Sequence, residues 1–123
     1  MPAWEPNWNN VRWDHGAADD AALALRRAAD LLEETAARRE QLAREAQAEW
    51  RGRYREEFDE RLVHTLRRAR QLAQEYRAKA SEILQKSQMA YEEQKHRERE
   101  RDRWRREKEE EERALNLQQG GGG

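Results

Sequence analysis

The sequence predicts an all-α protein built from two long amphipathic helices, on three observations. Apolar residues recur at spacings of three, four and seven from Ala18 to Trp50, and again from Tyr54 to Ala90. No proline follows Pro6, so nothing in the rest of the chain forbids a helix. Gly52 is the only glycine between Gly16 and Gly120, and it falls between the two stripes. The chain either turns there, giving an antiparallel two-helix hairpin, or runs through as one rod at a cost of about 1 kcal/mol for an interior glycine. Glycine takes a left-handed backbone conformation without a steric penalty, so Gly52 can end a helix. The two stripes have similar lengths, each about 50 Å at helical rise, and matched lengths favour antiparallel pairing.

Residues 1–13 are the least helical part. Pro2 and Pro6 break helix, and Asn7, Asn9 and Asn10 favour turns. Trp4, Trp8 and Trp13 nevertheless lie here, three of the five tryptophans. Rings of that size suit a segment that folds back to cover the edge of a core, or one that docks on another protein. The first helix is expected over 14–50, with Asp14 as N-cap and with Asp19 and Asp20 near the positive end of its dipole. Its stripe comprises Ala18, Ala22, Leu25, Ala29, Leu32, Ala36, Ala43, Ala46 and Trp50, broadened by Leu31 and Leu42. Arg38, Arg39, Glu40, Arg44 and Glu45 read as a solvated face.

The turn falls at 51–52, and the second helix is expected over 53–91. Its stripe holds Tyr54, Phe58, Leu62, Leu66, Ala69, Ala73, Tyr76, Ala80, Ile83, Ser87 and Ala90. These side chains are larger than those of the first helix, which predicts small residues facing large ones. Trp50, one turn before the corner, can cap the open end of the seam. From Glu92 to Arg113 nearly every residue is charged and Trp104 is the only large apolar one. Residues 92–115 therefore read as a solvated helical extension held by charge pairs at three- and four-residue spacing. Fraying is expected near Glu109 to Glu112, where acidic residues meet the negative end of the dipole. Residues 116–123 read as a flexible tail.

Composition narrows the possible functions. Hydrophobic residues make up 36% and charged residues 41%, so a narrow apolar stripe is all that can be buried. A lone two-helix unit has little to bury, which predicts pairing with a protein partner. The 25 basic and 26 acidic residues balance to a net charge of -1, and glutamates dilute the Arg97–Arg106 region, so no nucleic-acid partner is expected. No apolar run spans a bilayer, and no cleavable signal peptide is recognisable. There is no cysteine. His15, His64 and His96 lack the i, i+4 partner of a helical metal site, and His64 reads as half-buried on the flank of the stripe. Ser81 and Ser87 have no base and orienting group in the pattern. No catalytic, metal or cofactor-binding residue is expected, so the protein reads as a non-enzyme. The residues expected to drive pairing are Leu25, Leu32, Phe58, Leu62, Leu66, Tyr76 and Ile83.

Around Trp50-Arg51-Gly52, set between two alanine- and leucine-rich helices and followed by Tyr54 and Phe58, the chain resembles the WXG family of small proteins exported by type VII (ESX) secretion systems. The resemblance covers about 14–91, and the alanine, arginine and glutamate usage looks actinobacterial. It implies a hairpin turning at the Trp-x-Gly motif, with Trp50 and Gly52 in a tip used for export. It also implies pairing into a four-helix bundle, as a homodimer, with a sister protein, or with a larger toxin-bearing substrate that the hairpin escorts. Members are cytoplasmic before export and leave without a cleaved signal. The family's Tyr-x-x-x-Asp/Glu signal has no counterpart here. Tyr54, Tyr76 and Tyr91 are followed four positions later by Phe58, Ala80 and Lys95. This departure implies a partner that supplies the signal, or a protein that stays in the cytoplasm as a chaperone. The alternative is a structural or adaptor coiled coil outside any secretion system.

Overall fold

The computed structural model describes residues 1–120. It contains two helices, α1 (His15–Gln47) and α2 (Arg53–Gly120), and no strand among the described residues. The helices pack against each other. The chain divides into two compact units: residues 14–85, and residues 1–13 with the chain from Lys86 onward.

In the first unit, Asp14 caps α1. Its carboxylate accepts from the Ala17 N–H at 2.9 Å, and its carbonyl accepts from the Ala18 N–H at 3.0 Å. Asp19 and Asp20 fall in the second turn, so the complement to the dipole comes from Asp14 rather than from them. The buried residues of α1 are Ala18, Ala22, Ala29, Ala36 and Ala43, a seven-residue recurrence from Ala22 onward. On α2 the matching seven-residue series within this unit is Leu66, Ala73 and Ala80. Ala29, Ala73 and Ala80 are fully inaccessible. A seven-residue period keeps one face turned to the partner helix, as in a coiled coil, and alanine lets the backbones approach closely.

This corrects the expectation of small residues facing large. Small faces small along the seam, with Leu66 the one large side chain buried there. Close approach at the alanines leaves no room for larger groups at the centre. Leu25, Leu32, Phe58, Leu62, Leu72, Tyr76, Ile83 and Leu84 are therefore only half-buried.

Polar pairs fix the direction of packing. Arg77 reaches Glu33 and Asp30, Arg70 reaches Glu40 at 2.5 Å, and the Gln47 amide donates to Asp59. Residue numbers rise on α1 as they fall on α2, so residues 14–85 form an antiparallel hairpin.

The corner differs from the expected one. α1 ends at Gln47, short of Trp50, with Ala48 still in a right-handed conformation as C-cap. Gly52 has φ 112° and its carbonyl accepts from the Arg55 N–H at 3.2 Å. Gly52 therefore opens α2 instead of closing α1, and residues 48–52 form the connection. Trp50 lies in that connection with its ring 5.3 Å from Phe58, and its carbonyl accepts from the Arg55 guanidinium at 3.2 Å. His64 is exposed, not half-buried, because two residues before the buried Leu66 it lies on the opposite side of α2 from the alanine seam.

In the second unit, residues 1–13 form an irregular segment lying along α2. The segment and the helix run in opposite directions: Trp13 pairs with Ser87, Val11 with Gln94, Asn7 with Arg101, and Trp4 with Glu107. The stretch 92–115 was expected to be purely solvated; instead it is a docking platform for this segment. The reason is chemical complementarity between indoles and arginines, which an apolar-stripe criterion does not register. α2 also includes 116–120, placed in a flexible tail by the sequence reading; the remainder of that tail, 121–123, lies outside the described residues.

Candidate protein-docking surface

The alanine seam determines what the hairpin shows to its surroundings. Large apolar side chains that cannot fit between the helices stand at the flanks, and Leu23, Leu31, Leu42, Val63 and Tyr54 are exposed. Two grooves result. One, of about 400 Å³, has walls that include Leu31, Leu32 and Ala36 from α1 with Leu66, Ala69 and Tyr76 from α2. Its α1 wall runs from Ala28 to Arg39, about 17 Å or three helical turns. Thr35, Thr65, Arg39 and the Tyr76 hydroxyl supply its polar side-chain atoms, and the remaining side chains of the wall are hydrocarbon. Leu31 stands at this wall 64% exposed, large for an aliphatic side chain on a hairpin with so small a core. The other groove is bordered by Leu62, Val63 and Leu66, but Glu40, Arg44, Arg67 and Arg70 make it charged.

Of the residues expected to drive pairing, Leu32, Leu66 and Tyr76 border the apolar groove, while Leu62 and again Leu66 border the charged one. Leu25, Phe58 and Ile83 are half-buried and line neither. Gly52 and Trp50 lie together in the connection, with Trp50 38% exposed and backed by Phe58.

The charges beside the seam were read as solvent-facing, yet several bridge the helices. Glu40 accepts from Arg44 at 2.6 Å on its own helix and from Arg70 at 2.5 Å on the other. These bonds, Arg70 first, hold the Glu40 carboxyl below its ordinary range. Arg77 does the same to Glu33, chiefly by hydrogen bonding, and its own guanidinium is correspondingly harder to deprotonate. Such pairs contribute little stability each because solvent screens them, and their positions follow the antiparallel register of the two helices. Sequence reasoning missed them. The signal was present as acidic positions 30, 33 and 40 on one helix facing basic positions 77 and 70 on the other.

Trp4, Trp8 and Trp13, expected as a docking element or a core cover, are engaged within their own chain. The Trp13 indole donates to Ser87 Oγ at 2.7 Å, and the Trp4 indole donates to Glu107 Oε2 at 2.6 Å. Trp8 meets Trp104 edge-on at 5.3 Å, and the Trp104 indole donates to the Trp4 carbonyl at 3.0 Å. The Arg103 guanidinium lies 4.2 Å from the Trp4 ring centre. Beside this segment, Glu98 is held below the ordinary carboxylate range by a hydrogen bond from Gln94 and then by the charge of Lys95.

Among the described residues no group of three or more His, Cys, Asp or Glu side chains is placed to hold a metal ion, and no helix is long and apolar enough to cross a membrane. No known family, no curated protein and no solved structure matches this chain. What the geometry offers is packing surface: an apolar groove between the two helices.

Proposed function

We propose that this chain is a non-enzymatic pairing protein whose hairpin docks against a second helical hairpin in a four-helix bundle, and that it acts as partner or escort for a protein exported by a type VII system. The observation that carries pairing is the apolar groove beside Leu31, Leu66 and Tyr76. A hairpin seam made of alanine buries little, so most of the available apolar surface lies at the flanks, where only another molecule can cover it. A three-turn apolar wall suits a helix better than an extended peptide. An extended peptide would leave backbone groups needing partners that a hydrocarbon wall does not provide.

Support for the export part comes from Trp50-Arg51-Gly52 lying in the connection between two helices, as the resemblance to WXG proteins implies. No Tyr-x-x-x-Asp/Glu pattern starts at Tyr54, Tyr76 or Tyr91. In this reading the partner supplies the export signal, or the chain stays in the cytoplasm as the partner's chaperone. One observation favours the second reading, an adaptor coiled coil that is not secreted. α2 has 68 residues against 33 for α1, far more than a simple hairpin needs.

The test is paired. Leu31→Glu places a charge in the groove at a site already exposed, so the hairpin stays helical while the mass in solution falls to one chain. Unchanged assembly removes the groove as the interface. Trp50→Ala with Gly52→Ala reduces export of the complex from its host while largely sparing pairing, which is checked by its mass in solution; undiminished export moves the conclusion to the adaptor reading.

A further inference from the structure

The stretch 92–115 poses a physical problem. It is helical throughout, yet nearly all its residues are charged and Trp104 is its only large apolar side chain before the leucine at 115. Helices in proteins persist mainly because a face packs against something, and charge pairs along one surface add only a few tenths of a kcal/mol each. What packs against this stretch is residues 1–13.

The docking is reciprocal. Arg101 donates to the carbonyls of Asn7 and Asn9 at 2.9 and 2.7 Å, and Arg97 donates to the Asn9 carbonyl at 3.1 Å. The segment thus relies on helix side chains to satisfy its backbone. In turn, its Trp4 and Trp8 supply the rings against which Trp104, Arg103 and Arg105 are ordered. Contacts run from Ser87 to Glu111, where the Met1 ammonium pairs with the carboxylate at 2.8 Å, about 36 Å of helix. They are uneven in depth: Pro6 is buried and Trp4 half-buried. Trp8 and Trp13 stay 44% and 37% exposed, and among the described residues no backbone–backbone hydrogen bond ties the segment to α2. A segment held by side chains alone, with exposed anchors, belongs to the low-stability end of a fold and opens before the rest.

We propose that residues 1–13 are a latch whose docking keeps 92–115 helical, so that release of the latch unwinds this stretch and bares Trp104 with its neighbouring cations. Latch and extension then form one cooperative unit, separate in stability from the alanine-seamed hairpin. Anything that captures the three N-terminal tryptophans acts on the conformation of residues 92–115, far away in sequence.

Amide hydrogen exchange on the full chain tests this. Trp4→Ala with Trp8→Ala leaves the sequence of α2 untouched, so its intrinsic helix propensity is unchanged. The expected result is a loss of protection of about tenfold or more across 92–115, with amides of 58–83 unaffected, and most of the protection kept in Trp8→Phe. Equal protection of 92–115 in the double variant overturns the proposal. So does an equal loss in 58–83, which would make the tryptophans general stabilisers. Protection of 92–115 that rises with protein concentration also overturns it, since the segment would then dock on a neighbouring copy.

Discussion

Leu66→Ala probes the hairpin and its docking surface together. Leu66 is 7% exposed and is the one large side chain buried in a seam otherwise made of alanine. Truncation removes three carbon groups, and at about 0.8 kcal/mol each the transfer term is about 2.4 kcal/mol. An enclosed cavity would add to this, as it does in well-packed cores. Here Leu66 borders both grooves, so in the lone hairpin the void opens to water and the cavity term is small. In a paired hairpin the apolar groove is covered, the void is enclosed, and the loss rises to about 3–4 kcal/mol. The assay is hydrogen exchange of amides in 69–80, which open with the hairpin, in wild type and variant at low and high protein concentration. A loss below about 1 kcal/mol would show that Leu66 does not sit in the seam. A loss that is the same at both concentrations would show that a second copy of this chain does not cover the groove.

Two further predictions concern the corner and the flanking charges. Gly52→Ala destabilises the hairpin by about 1–2 kcal/mol, because φ is 112° while no atom lies within 4 Å of the added Cβ, so the cost is in the backbone alone; an unchanged urea midpoint contradicts this. The carboxyls of Glu33 and Glu40 are lowered from their ordinary value of 4.5 by Arg77 and Arg70. Their contribution is therefore complete above pH 4.5 and lost as pH falls through the lower native values. Thermal melts between about pH 6 and 3 check the sign: Glu33→Gln with Glu40→Gln shows a flatter acid limb than wild type, and a parallel limb refutes the assignment.

The helices were legible in the sequence because a single period governs them. Alanines from Ala22 to Ala43 and the series Leu66, Ala73, Ala80 keep one face for one purpose, and that pattern survives any reading frame of loops. Gly52 was legible as a corner but not as the residue that opens α2. A positive φ can serve either end of a break, and only the early stop of α1 at Gln47 decides between them. The large residues of the second stripe were misassigned to the seam because apolar periodicity counts Phe58, Leu62 and Ile83 equally with Ala73. Which of them reaches the centre depends on how closely the backbones approach. The latch was half legible. Three tryptophans near two prolines announced a segment that packs, but its platform is charged, and indole–guanidinium contacts leave no hydrophobic pattern to find. Glu40 was read as solvated for a related reason: its partner Arg70 lies 30 residues away and is invisible until the helices are laid side by side.

The central claim is that the hairpin's apolar groove is covered by a second hairpin. Sedimentation equilibrium tests it on the full chain, alone and after co-expression with the products of neighbouring genes. The account predicts a species of twice the 14.8 kDa chain, or a complex with a co-purifying helical protein, and its loss in Leu31→Glu. A single 14.8 kDa species at every concentration, with no helical protein in company, would contradict it.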